Sequence, residues 1–322
     1  KVKESDGICV GLSQGEGKEF DVNRLKLIDA VVDYIIRGFE NWQEIVTIQG
    51  LNGLSPLLYI FDLDDTLALP GKKMIKKLAK QIVLLLKSGA SISLVTGASL
   101  GDVKRRFLGP LFKELRQQGI LHLAENLHLF PYLGAVVYGL DKTGALQKYY
   151  QNSLSKKQQK QILEAVEKIF AEAKLLPSED FEVAIRKSDT GEVVKISIRL
   201  AKQVYPNLSN KGFKQRVMLT EALRDNLVDD KLEITCSSVC IDISVGGKAY
   251  AVDHLLDKLG IDDKNIGRVF IFGDTFAELG GDRAMENKRT EGATFINVGS
   301  ELSVEDAQGI ITTIRKGPEG VL

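Results

Sequence analysis

The sequence predicts an α/β protein with a doubly wound parallel sheet and a second, α+β domain inserted into it. Three observations lead to this fold class. A buried strand is followed by a helix and a second strand, polar residues stand at the ends of the strands, and a central region shows strict apolar alternation. A chain of 322 residues is long for one hydrophobic core and suits two.

The first β-α-β unit predicts the parallel sheet. Residues 57–61 form a continuous apolar run, residues 72–88 have helical spacing, and residues 91–95 form a second apolar run. Continuous apolar runs are typical of buried parallel strands, and a helical crossover makes the joined strands parallel neighbours. The same reasoning predicts further strands at 134–138, 268–272 and 293–298, and helices at 101–118, 248–259 and near 303–314.

Residues 145–245 have a different pattern, in which a helix followed by two strands occurs twice. The predicted elements are a helix at 153–174, strands at 181–185 and 194–200, a helix at 211–226, and strands at 232–236 and 239–243. Strict alternation predicts an antiparallel sheet with one apolar and one polar face. The predicted domains are an N-terminal helical extension at 1–54, with an amphipathic helix within 22–48, a core at 55–144 and 246–322, and the insert at 145–245.

Composition narrows the function classes. Lys plus Arg is 43 and Asp plus Glu is 43, so the formal net charge of zero gives no support for a nucleic-acid partner. Three cysteines without metal-site spacing indicate neither a disulfide framework nor a zinc site and fit a reducing compartment. No apolar run of about 18 residues or secretory h-region is present, so we expect no membrane partner and a cytoplasmic location.

Chemically active residues follow three of the predicted strands. Asp62 and Asp64 end the first strand, Thr96 and Gly97 the second, and Asp274 a later one. Ligands bind at the carboxyl edge of open α/β sheets, so these groups should meet there. Lys248 begins a helix and adds a cation to the group.

This set of residues suits phosphoryl transfer. A carboxylate such as Asp62 can attack phosphorus and form an acyl phosphate, and Asp64 can act as general acid and then as general base. Thr96, the amide of Gly97 and Lys248 can hold the phosphate oxygens. Two anions approach each other only with a bridging cation. We therefore expect Mg²⁺, held by Asp62, Asp274 and a backbone carbonyl near Asp64.

The pattern resembles the haloacid dehalogenase superfamily of phosphatases. The resemblance lies in YIFDLDDTL at 59–67, SLVTG at 93–97, GGKAYAVDHL at 246–255 and VFIFGDTFAELGGD at 269–282. It implies a Rossmann-like catalytic core with a cap domain, a nucleophile at Asp62, an acid/base at Asp64 and magnesium as cofactor. By position it also implies phosphate binding by Thr96 and Lys248, metal binding by Asp274 and metal support by Asp282.

The position of the insert is similar to that of the cap in the sugar-phosphatase branch, and GGD at 280–282 is similar to phosphomannomutases. Two departures argue against a mutase. Asp65 stands where that family usually has glycine, and no arginine-rich sugar-binding motif occurs around 185–215. We therefore expect a hydrolase of a small phosphorylated metabolite such as a sugar phosphate. The alternatives are a sugar phosphomutase and a non-catalytic module that recruits a partner through 22–48.

Lysines and arginines of the inserted hairpin allow two interpretations. Lys187, Lys195 and Arg199 stand in or beside its alternating strands, where they would either face a substrate anion or lie on the solvated face of the sheet. The alternation favours the solvated face, because charged residues at every second position are typical of a sheet with one exposed side.

Overall fold

A computed structural model describes residues 58–201, 210–229, 231–237, 240–276, 280–299, 302, 309–313 and 315–322. The predicted extension at 1–54, its amphipathic helix and the predicted linker lie outside these residues. The described chain forms two sheets. One has eight strands and the other has four.

The large sheet has the order β12-β11-β10-β1-β2-β3-β4-β5. Its strands are β1 (Leu58–Phe61), β2 (Ser91–Val95), β3 (Leu127–Phe130), β4 (Val136–Leu140), β5 (Leu146–Gln151), β10 (Val269–Gly273), β11 (Thr294–Asn297) and β12 (Ile310–Thr312). Pairing is parallel from β12 through β3. The β3–β4 and β4–β5 pairs are antiparallel, so this end of the sheet departs from the parallel pattern.

Helices cover both faces of this sheet, which confirms the doubly wound class. They are α1 (Lys76–Lys87), α2 (Leu100–Val103), α3 (Gly109–Gln117), α6 (Lys248–Leu259) and a short C-terminal α7 (Pro318–Val321). Leu78 and Ile82 of α1 pack with Phe61 and Leu94 on one face, whereas Val252 and Leu255 of α6 pack with Ile60 and Val95 on the other. Alternate side chains of β1 and β2 thus enter opposite cores, which explains their continuous apolar sequence.

The four-stranded sheet has the order β6-β7-β9-β8 and is antiparallel throughout. Its strands are β6 (Phe181–Lys187), β7 (Val193–Leu200), β8 (Leu232–Cys236) and β9 (Ile241–Val245), and its helices are α4 (Lys156–Glu172) and α5 (Asn210–Asn226). Ile196, Ile198 and Ile243 pack with Ile162 and Leu223 into a separate apolar core. We call this unit the cap.

The structure corrects three details of the prediction. The boundary expected between 144 and 145 falls before β5, which pairs with β4 in the large sheet, so the cap follows Gln151. The last β-strand of the cap is Ile241–Val245, so it ends two residues beyond the predicted end at 243. Residues 310–312 of the helix predicted near 303–314 form β12, because Ile310 and Ile311 pair in parallel with β11.

Candidate active site

The nucleophile candidate lies directly beyond β1. The Asp62 amide donates to the Phe272 carbonyl at 3.0 Å, which extends the pairing of β1 with β10 by one residue. The Asp62 residue is 5% exposed, and it lines a cavity of about 360 Å³ between the core and the cap. The parallel strands thus bring their carboxyl ends to one opening, as the sequence predicts.

Lys248 is the central cation of this site. Its Nζ donates to Asp62 Oδ1 at 2.6 Å and to Asp282 Oδ1 at 2.7 Å, and all three side chains are buried. Burial alone would lower the pKa of Lys248, but the carboxylates of Asp282 and Asp62 outweigh it and raise the pKa above its ordinary value. Lys248 is therefore fully protonated at neutral pH and holds Asp62 from one side.

Asp282 organises the loop that carries Asp274. Its Oδ2 accepts hydrogen bonds of 2.9 Å each from the backbone amides of Asp274 and Thr275 and from the Thr275 hydroxyl. Burial would raise the pKa of Asp282, but Lys248 and Thr275 hold it below its usual value. A Cβ at Gly273 would come within 2.5 Å of the Asp282 carboxyl group, so this close approach requires glycine.

Thr96 and Gly97 line the same cavity as Lys248. Thr96 is 1% exposed, and its amide donates to the Phe130 carbonyl of β3 at 3.0 Å. Its hydroxyl accepts from the Ala98 amide at 3.1 Å, which fixes the turn beyond β2. The structure therefore brings Asp62, Thr96, Gly97, Lys248 and Asp274 to one cavity, while the roles of these residues stay predictions.

Asp64 lines the same cavity but is turned toward an arginine that the sequence interpretation missed. The Arg106 side chain is only 4% exposed. It donates to Asp64 Oδ1 at 2.6 Å and to the carbonyls of Leu69 and Lys72. Arg106 lies in a π-helical turn, Lys104–Leu108, between α2 and α3. Such turns are rare and often occur at functional sites.

Asp65 has the backbone conformation that favours glycine. Its φ is 53°, in the left-handed region that most side chains avoid and that Asp tolerates better than bulky residues. This conformation gives a physical reason why phosphomannomutases usually have glycine at the position of Asp65. Asp65 adopts this conformation without glycine's freedom from a side chain.

The carboxylates around Asp62 fit a divalent cation. Burial and the charge of Asp282 raise the pKa of Asp62 to about 7 despite the opposing effect of Lys248. Burial, Asp282 and Asp62 raise the pKa of Asp274 well above its usual value. The described residues contain no group of three His, Cys, Asp or Glu side chains arranged to hold a metal. Two carboxylates, a backbone carbonyl and waters would satisfy Mg²⁺, whose charge would keep both carboxylates ionised.

The polar face of the cap forms the other wall of the cavity. Lys195, Ser197 and Arg199 of β7 line it, together with Arg186 of β6, whereas Lys187 does not. The face that alternation predicts to be solvated thus lies over the core. Alternation identified the polar face correctly, but the sequence contains no signal for what that face covers.

Comparison with known proteins places the chain in a family. The family model of haloacid dehalogenase-like hydrolases matches residues 59–277. This range contains every active-site residue named above except Asp282. The chain belongs to this family. The resemblance and the prediction of a hydrolytic enzyme are confirmed. The sugar-phosphatase branch stays a prediction.

Solved structures show the same fold at low sequence identity. An N-terminally truncated Plasmodium falciparum IMP-nucleotidase with bound IMP has a TM-score of 0.56 and 18% identity, over 80% of this chain and 73% of that one. Another structure of P. falciparum IMP-nucleotidase has a TM-score of 0.51 and 18% identity. The match covers 68% of this chain but only 53% of the P. falciparum chain. SMU.1108c from Streptococcus mutans UA159 has a TM-score of 0.55 and 12% identity, over 83% and 96% of the two chains.

Two further findings are negative. No curated protein sequence matches the chain. Within the part of the chain that the structure describes, no helix is long and apolar enough to cross a membrane.

Cys236 is buried and Cys240 partly exposed, and both are free thiols, so neither belongs to a disulfide in the described residues.

Proposed function

We propose that the protein is a Mg²⁺-dependent phosphomonoester hydrolase that forms an aspartyl phosphate on Asp62. The observation that carries this proposal is the contact of 2.6 Å between Lys248 Nζ and Asp62 Oδ1 at a cavity also lined by Thr96 and Asp274. One carboxylate oxygen is held by the lysine. The carboxylate also faces the cavity, where a phosphate would enter.

The proposed reaction has two displacements. In the first, an oxygen of Asp62 attacks phosphorus, the bond from phosphorus to the leaving oxygen breaks, and Asp64 gives its proton to that oxygen. In the second, Asp64 takes a proton from water, the water oxygen bonds to phosphorus, and the bond to Asp62 breaks. Inorganic phosphate leaves and Asp62 is restored.

The surrounding residues support these steps. Lys248, Thr96 and the Gly97 amide would stabilise the charge on the phosphate oxygens. Arg106 would hold Asp64 at the cavity rim, where the acid must reach the leaving oxygen. Asp62, Asp274 and the backbone carbonyl of Asp64 would hold Mg²⁺, whose positive charge would offset the repulsion between the phosphate and the carboxylate nucleophile.

We further propose a sugar phosphate as the substrate. The cap wall offers hydroxyl groups from Ser197, Thr235 and Ser237. These alternating donors and acceptors complement the hydroxyls of a sugar. Tyr132 is the one aromatic side chain among the described residues of the cavity wall, which gives little surface for stacking a nucleobase.

The experiment is a phosphate-release assay with p-nitrophenyl phosphate and a panel of sugar phosphates and nucleoside monophosphates. We expect release that requires Mg²⁺, stops with EDTA and is lost in Asp62→Asn. Asp263→Asn, which changes an exposed carboxylate, is the matched control. Release that survives Asp62→Asn or chelation would contradict the proposal. Preference for nucleoside monophosphates, as the IMP-bound P. falciparum enzyme suggests, would contradict the substrate class alone.

A phosphomutase would use the same nucleophile and remains the second candidate. The cap arginines Arg186 and Arg199, which line the cavity, are the observation that favours it, since they could hold a second phosphate. Rapid isomerisation of a hexose 1-phosphate, stimulated by a sugar bisphosphate, would select the mutase over the hydrolase. The non-catalytic alternative rests on 22–48, which lie outside the described residues.

A further inference from the structure

Lys195 connects the cap to the core inside the cavity. Its Nζ donates to the carbonyl of Gly97 at 2.8 Å and lies 3.0 Å from Asp242 Oδ1. The Lys195 side chain is only 6% exposed, and Asp242 is also buried. A lysine of the cap therefore contacts the turn that carries Thr96.

This arrangement is not explained by stability alone. Burying an ion pair costs desolvation free energy that the pair often only just recovers, and apolar residues of similar size often serve as well. Ser197 donates to Asp242 Oδ1 at 2.5 Å and so fixes the carboxylate that holds the ammonium. Ser197, Asp242 and Lys195 thus form a chain of hydrogen bonds that holds the Lys195 ammonium group against the Gly97 carbonyl.

A second cap residue contacts the other phosphate-binding element. Glu233 of β8 is buried beside the start of α6, and burial raises the pKa of Glu233 to about 7 although the backbone and the charge of Lys248 oppose this shift. Gly247 precedes α6 without a side chain that caps the helix. A Cβ at Gly247 would lie 1.3 Å from Glu233 Oε2, so the carboxylate occupies the space of the missing side chain.

The two residues lie in one row across the cap sheet. Lys195 pairs with Ser244 of β9, and Ser244 pairs with Glu233 of β8. Residues in one row of an antiparallel sheet point to the same face. A single row of the cap therefore contacts both Gly97 and Lys248, the two places where the core would hold phosphate.

We propose that Lys195 and Glu233 are positioning residues that hold the Thr96–Gly97 turn and Lys248 in their phosphate-binding arrangement. The inference rests on the proposed function, because it takes these groups as the phosphate site. Neither residue needs to touch the reacting atoms. Their contribution is to the affinity for the phosphate group, whatever the leaving group is.

The test is the dissociation constant of inorganic phosphate, measured by calorimetry with saturating Mg²⁺. Lys195→Met/Asp242→Asn removes the ammonium without leaving a buried unpaired carboxylate, and Glu233→Ala removes the second contact. We expect each variant to weaken phosphate binding about tenfold, the effect of losing one charge-assisted hydrogen bond. The KM for p-nitrophenyl phosphate should rise in parallel while kcat changes less.

Matched controls and a rescue variant separate positioning from a general structural effect. Lys187→Met and Glu182→Ala change exposed residues of β6 and should leave the phosphate affinity unchanged. Lys195→Gln/Asp242→Asn keeps a donor for the Gly97 carbonyl and should bind phosphate more tightly than Lys195→Met/Asp242→Asn. Wild-type phosphate affinity in folded Lys195→Met/Asp242→Asn and Glu233→Ala, or a loss confined to kcat, would overturn the inference. A wild type that binds phosphate but hydrolyses no monoester would contradict only the proposed function.

Discussion

The two walls of the cavity each contain a buried lysine, and the two lysines have different surroundings. On the core wall, Lys248 lies between the carboxylates of Asp62 and Asp282. On the cap wall, Lys195 pairs with Asp242, the one carboxylate partner recorded for it among the described residues, and donates to a backbone carbonyl. Lys248 can thus act on the reacting groups directly, whereas Lys195 acts through the backbone that surrounds them. We expect substitutions on the core wall to affect chemistry and those on the cap wall to affect binding.

The largest effect should come from Lys248→Met. The change removes the cation from two buried carboxylates, and loss of one partner from a buried pair typically costs about 3–5 kcal/mol. The activity on p-nitrophenyl phosphate should fall by about 10²–10³-fold in kcat, the usual effect of removing a group that stabilises transition-state charge. Steady-state kinetics and urea unfolding measure the two effects.

The control for this variant is Lys264→Met, which removes an exposed lysine in the loop after α6. Its kinetics and stability should match those of the wild type. An unchanged kcat in Lys248→Met would contradict the proposed difference between the two walls, because Lys248 would then contribute no more to the chemical step than Lys195.

A smaller effect should follow from Arg106→Met, which frees Asp64 and the carbonyls of Leu69 and Lys72. Without its arginine, Asp64 loses its fixed position at the cavity rim. We expect kcat to fall by about tenfold to a hundredfold, a part of the roughly 10²–10⁴-fold that general acid–base catalysis typically contributes. An activated aryl phosphate, whose leaving group needs no proton, should lose less activity than an alkyl phosphate.

The matched control is Arg105→Met, the neighbouring residue, whose guanidinium is half exposed and pairs with Asp102. Equal losses for aryl and alkyl phosphates in Arg106→Met would show that Arg106 supports the loop rather than the acid.

The last effect does not involve the active site and concerns the stability of the core in acid. His128 of β3 is buried, and desolvation lowers its pKa to about 4. The unfolded chain therefore binds a proton near pH 6.5 that the folded core excludes, so stability falls as the pH drops from about 6.5 to 4. His128→Gln should lose this part of the pH dependence, about 3 kcal/mol in the free energy of unfolding.

Urea unfolding at pH 7 and at pH 4.5 measures this difference. The cap sequence between 152 and 245 contains no histidine, so this source of acid sensitivity belongs to the core. An identical pH slope in wild type and His128→Gln would contradict the assignment.

The sequence predicted the core side of the site better than the cap side, for a physical reason. Polar groups after buried apolar strands are a local signal, and parallel topology brings Asp62, Thr96 and Asp274 to one edge. Arg106 depends on a π-helical turn that no simple period describes. Lys195 and Lys187 look alike in sequence, and only the docking of the cap and the irregular pairing near Lys187 separate them.

The antiparallel strands at the edge of the large sheet show a similar limit. β5 has the sequence LQKYYQ, in which no residue is buried, so neither an apolar run nor strict alternation marks it. It is a strand because β4 offers a free edge, which is a tertiary condition. The helix predicted near 303–314 failed at 310–312 for the same reason, since pairing with β11 outweighed local spacing.

The measurement that tests the central claim most directly is acid quenching of a single turnover, followed by mass spectrometry of the peptide that contains Asp62. We predict the added mass of one phosphoryl group on Asp62. The label should be more abundant in Asp64→Asn, where the general base that removes it is missing. Phosphate release without a labelled Asp62, or a label on another residue, would contradict the account.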